Sequence, residues 1–74
     1  MPALPVLSGK EVRQAFEQDG WWFKRQRGSH MILVKTGSIA TLSVPNHKEV
    51  ARGTLRSLIR SAGMTTDEFL ELVD

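Results

Sequence analysis

The sequence contains no cysteine. That excludes disulfides and zinc sites built on thiolates, and it suits a reducing compartment. No apolar run approaches the roughly 18–20 residues that a helix needs to cross a bilayer. The opening stretch MPALPVLSGK has neither the charged segment nor the long apolar segment of a secretory signal. The expectation is a soluble protein of the cytoplasm with no membrane contact. The chain is also short. Its 74 residues read as one domain, 1–74, burying only about 60% of the surface that the unfolded chain exposes. Such a chain has no room for a lid or a cofactor domain, so any site is expected as an open surface patch.

Acid is scarce too, in one region. Between Gly20 and Arg60 the single carboxylate is Glu49. It faces eight basic residues, namely Lys24, Arg25, Arg27, Lys35, Lys48, Arg52, Arg56 and Arg60, so the stretch carries +7. Residues 1–19 sum to −1 and residues 61–74 to −4. A basic middle with an acidic tail points to a polyanion on one surface, against the plainer reading of a solvated charged surface.

What is present falls into clear elements. Leu7-Ser8-Gly9-Lys10-Glu11-Val12 fits a capping box with a hydrophobic staple: Ser8 caps, Glu11 reaches back, and Leu7 packs on Val12. Met64 to Phe69 repeats the template with Thr65 and Glu68. These signals predict a helix over residues 9–19, closed by Gly20, and a short one over 66–73. Leu55, Leu58, Ile59 and Ala62 have helical spacing and predict a helix over 53–62. Between them lie strand signals over 21–27, 31–35 and 39–44, with a turn at Thr36-Gly37-Ser38. The order α-β-β-β-α with a short extra C-terminal helix predicts an α+β two-layer sandwich. Its three-stranded antiparallel sheet has helices on one face.

The chemistry concentrates in RQRGSHMILV, Arg25 to Val34. A neutral imidazole at His30 can take a proton from a ribose 2′-hydroxyl, and an imidazolium can protonate a leaving 5′-oxygen. Lys24, Arg25 and Arg27 on the adjoining strand can hold the phosphoryl oxygens. Gly28 lets the backbone approach closely, and Ser29 can donate to a phosphate. The plainer alternative is a histidine that starts a strand. Strand parity leaves the direction of His30 open, because Ile32 and Val34 on its side are as apolar as Met31 and Leu33 on the other. His47, at the sheet exit after Pro45-Asn46, is either a second phosphate or acid/base group or a loop residue. Arg52, Arg56 and Arg60 form one helix stripe, fit for a phosphate backbone, an acidic protein or plain solvent. Of the adjacent Trp21 and Trp22, the first is expected in the core with Phe23, the second exposed to a base or a partner. Only Glu49 lies near the two histidines as a further ligand, so no metal site is expected.

Taken in order, these blocks resemble the HicA toxins, small mRNA interferases of HicA–HicB toxin–antitoxin systems. LPVLSGKEV resembles the family's entry to the first helix, and DGW with RQRGSH its central motif. VPNHKEVARGTLRSLIRSAGM and the closing TTDEFLELV are similar to its later blocks. The resemblance implies a double-stranded-RNA-binding-domain-like fold. It also implies the toxin of a type II system, an endoribonuclease cleaving mRNA with neither metal nor cofactor. A HicB-type antitoxin would be the partner. His30 falls on the family's catalytic histidine. The residues expected to bind RNA or stabilise phosphate are Lys24, Arg25, Arg27, Gly28, Ser29, His47, Arg52 and Arg56. The alternatives are a non-catalytic RNA-binding module and a protein-interaction domain.

Overall fold

Ser8 ends an extended segment and starts a helix. In the computed structural model, which describes residues 3–73, its hydroxyl accepts from the Glu11 N–H at 3.1 Å. The Glu11 carboxylate accepts from the Ser8 N–H at 2.9 Å. This reciprocal box satisfies two of the donors that a helix start leaves without partners. The helix α1, Gly9–Gln18, buries Val12, Ala15 and Phe16, and Leu7 is buried with them. Gly20 follows in the left-handed region at φ 96°, the glycine signal that marks a helix end. Thr65 and Glu68 repeat the box ahead of a seven-residue helix, Thr66–Leu72. The helix between them, Arg52–Ser61, buries Leu55, Leu58 and Ile59 and begins one residue before the predicted Gly53. These two helices are α3 and α2 respectively.

Three strands lie between α1 and α2: β1 Trp22–Arg27, β2 His30–Val34 and β3 Leu42–Pro45. They pair antiparallel in the order β1-β2-β3. The expected α+β architecture is therefore present, with the third helix added at the end. The boundaries of β3 differ from expectation. It begins at Leu42 and not at Ile39, because the connection folds on itself first. The Ser38 N–H donates to the Lys35 carbonyl at 3.0 Å, Gly37 sits at φ 85°, and the Ser38 hydroxyl accepts from the Ala40 N–H at 3.1 Å. Ile39 is left fully exposed on that loop.

Met31 and Leu33 of β2 and Leu42 and Val44 of β3 join Phe16, Leu55 and Phe69 in one core cluster. The Phe16 and Phe69 rings pack with centroids 5.0 Å apart, so α3 seals the core although it is short. Trp21 is buried against Phe16 and Trp22 is half exposed, as the adjacent pair predicts. All three helices contribute to this one side of the sheet. Among the described residues no helix is long and apolar enough to cross a membrane.

The capping box has a measurable pH signature. The backbone N–H of Ser8 first, and its hydroxyl second, hold the Glu11 carboxyl below its ordinary 4.5. The folded chain thus binds that proton less readily than the unfolded chain. Its contribution to stability is complete above the unfolded value and is lost as pH falls through the folded one. Replacing Glu11→Gln removes this titration, so the acid limb of the Tm-versus-pH curve should flatten below about pH 4.5. An acid limb identical to the wild type's would contradict the assignment.

Candidate active site

Arg27 and His30 face each other across the first hairpin, with Gly28-Ser29 as its two-residue loop. Gly28 is at φ 59°, and no non-glycine among the described residues has positive φ. A glycine at the first loop position alone is the II′ turn, whose twist matches the flanking strands. A Cβ on Gly28 would meet nothing, so the backbone angle and not the space requires glycine here.

Register resolves the direction of His30. Directly opposed residues share a face in an antiparallel sheet. Met31 pairs with Val44 and Leu33 with Leu42, and all four are core. His30, Ile32 and Val34 therefore occupy the face away from the helices. On that face Arg27, His30 and Pro45 form one row, and Arg25, Ile32 and Ser43 the next. Trp22 and Val34 stand opposite each other further along. His30, Arg25, Arg27, Ser43 and Trp22 are exposed, while Ile32 is buried beneath its neighbours outside the main core.

A bulge makes this grouping. The β1 register shifts between Phe23 and Arg25, leaving Lys24 as the extra residue. An unbroken strand would carry Trp22, Lys24 and Gln26 on one side, with Arg25 and Arg27 beside Phe23. The extra residue inverts the phase and brings both arginines to the histidine face. Phe23 and Gln26, both on the helix side, are three apart, which a period of two does not allow, and the residue types of WFKRQR carry no signal of it.

The second histidine is brought in by a clamped loop. The Asn46 N–H donates to the Ser29 carbonyl at 2.7 Å, the Gly9 N–H to the His47 carbonyl at 2.9 Å, and the Val50 N–H to the Leu7 carbonyl at 2.8 Å. One of the unpaired donors at the start of α1 is thus satisfied by the residue that carries the imidazole. The His30 and His47 rings lie 6.4 Å apart between centroids, inclined at 50°, and both residues are exposed.

The other expected site residues are dispersed. Lys24 is exposed on the bulge, and Ser29 lends its carbonyl to the loop clamp. Arg52 donates from Nε to the Leu4 carbonyl at 3.0 Å, anchoring the N-terminal segment. Arg56 and Arg60 line a separate shallow cleft with Met64 and Thr65 that contains neither histidine. Another cleft, of about 430 Å³, lies on the helix side of β1, between Arg13, Phe23, Gln26 and Met31, and also holds neither histidine. Among the described residues no three of His, Asp and Glu come together as metal ligands.

The family model described as HicA toxin of bacterial toxin-antitoxin matches residues 9–64. That span contains both histidines and every basic residue of the open face. The chain belongs to this family, and it is the toxin of a toxin–antitoxin system with an antitoxin as partner. No sequence among curated proteins matches it.

The clamp can be tested at Gly9. A Cβ there would overlap the Pro45 carbonyl oxygen. Gly9→Ala should destabilise the fold by about 1–3 kcal/mol, the range for overpacking, although alanine is the better helix former. The ring signals of His47 should shift more than those of Trp22 in NMR spectra. Unchanged stability with an unmoved His47 would show that the approach is not binding on the loop.

Proposed function

We propose that this toxin is an endoribonuclease that cleaves mRNA without a metal ion, with His30 as a general acid/base. The observation that carries the reading is the row of Arg27 and His30 on an exposed sheet face, with Arg25 in the neighbouring row. An RNA strand supplies its own nucleophile, the 2′-hydroxyl next to the scissile phosphate. Cleavage then needs a proton acceptor, a proton donor and fixed positive charge on the phosphoryl oxygens. Imidazole provides the proton transfer. Guanidinium groups, which stay charged and present several donors, provide the charge.

Trp22 extends this surface. It is half exposed on the same face, at the far end of β2 from His30. Its indole is available to stack a base of the bound strand, a contact tolerant of sequence. The partner we propose is a HicB-type antitoxin. An acidic surface laid over Arg25 and Arg27 would displace RNA and cover His30 together. Among the described residues neither arginine has a carboxylate in ion-pair reach, and the ion pairs present are Arg13–Glu17 and Lys35–Asp19.

His30→Ala should reduce RNA cleavage by about 100-fold or more, the lower end for loss of a general acid or base. Circular dichroism should be unchanged, because the ring is exposed. RNA affinity should survive and fall steeply with added salt, as phosphate contacts require. A variant that still cuts at the wild-type rate would remove His30 from the mechanism. Salt-sensitive binding with no cleavage by the wild-type protein would leave a non-catalytic RNA-binding module.

A further inference from the structure

We infer that His47 is the second proton-transfer group of this reaction, an assignment that rests on the nuclease reading above. The need for a second group follows from the displacement itself. The attacking 2′-oxygen and the departing 5′-oxygen lie roughly in line on opposite sides of phosphorus. One ring beside the attacking oxygen is therefore poorly placed to protonate the leaving one in the same step. The 2′-O–H proton passes to one ring as the bond from that oxygen to phosphorus forms. The bond from phosphorus to the 5′-oxygen breaks, and that oxygen takes the proton held by the other ring. The products are a 2′,3′-cyclic phosphate and a 5′-hydroxyl. The rings end with their protonation exchanged, and solvent resets them.

The structure narrows the choice of second group. Arg25 and Arg27 do not give up a proton at working pH. Ser29 faces the loop clamp through its carbonyl, and a hydroxyl is a weak acid beside imidazole. His47 has the right chemistry and the right place. Its ring is 6.4 Å from that of His30, too far for the two to bond each other along their planes, and near enough for both to reach oxygens of one phosphodiester at about 2.6–3.2 Å. Pro45, buried in β3, pairs directly with His30 and lies two residues before His47, which brings the two histidines to one end of the sheet. Among the described residues neither ring is engaged in a side-chain hydrogen bond, and His47 is held by its backbone through Gly9. Its position therefore survives loss of its own side chain, which makes substitution informative.

The experiment compares wild type, His30→Ala and His47→Ala on two substrates: RNA, and a ribonucleoside 3′-phosphodiester whose leaving group is 4-nitrophenolate, which needs no proton to depart. On RNA, His47→Ala should lower kcat by about 100-fold or more while KM stays within about twofold. On the nitrophenyl substrate one of the two variants, the one lacking the acid, should regain most of the wild-type rate, and the other should not. A His47→Ala enzyme that keeps its kcat and only raises KM would make His47 a binding residue and overturn the assignment. So would the failure of both variants to recover on the activated substrate. If His30→Ala is inactive while His47→Ala keeps kcat on RNA, the nuclease reading stands and this inference alone falls. Absence of cleavage by the wild-type protein would sink both.

Discussion

The approach of the Gly9 backbone to the Pro45 carbonyl is the constraint on which the candidate site depends. With no side chain on Gly9, the first turn of α1 lies directly against the end of β3. That contact lets the Gly9 N–H hold the His47 carbonyl and keeps the following loop close to the first hairpin through Asn46 and Ser29. A helix start, a strand end and a hairpin turn are thereby joined by backbone hydrogen bonds. Backbone bonds of this kind fix position without using the side chains that chemistry needs. The two imidazoles are thus free on their polar edges and fixed at their roots, the condition for preorganised proton transfer.

The sheet divides its labour by face. Its helix side carries Met31, Leu33, Leu42 and Val44 into a core with Phe16, Leu55 and Phe69. The other face lies outside this core and carries the basic and aromatic groups. The bulge at Lys24 is what sorts β1 between these tasks. It costs regular pairing at one residue, and in exchange Trp22, Arg25 and Arg27 share a surface with His30. The toxin role that the family establishes thus goes with a basic open face, on which the proposed binding of RNA and of an acidic antitoxin both rest.

Local signals carried much of this fold. Both capping boxes, the glycine that closes α1, the Trp21–Trp22 division and the helical spacing of Leu55, Leu58 and Ile59 depend on neighbours within a few residues, and all are present as read. What escaped depends on distant partners. The direction of His30 is set by pairing with β3, since both sides of β2 are apolar in sequence. The loop after Lys35 folds on Ser38 before the alternating stretch can enter the sheet. Arg52, read as part of a stripe, turns to the Leu4 carbonyl, far away in sequence. The meeting of His30 with His47 needs register, clamp and glycine together, and no single window of sequence contains all three.

The most direct test of the paired imidazoles is a crystal structure of the toxin with an RNA dinucleotide lacking the 2′-hydroxyl at the scissile position. One phosphate should be seated between the two rings, with an oxygen about 2.6–3.2 Å from a ring nitrogen of each histidine and Arg25 or Arg27 on its remaining oxygens. A phosphate bound instead along Arg56 and Arg60, out of reach of both rings, would contradict it.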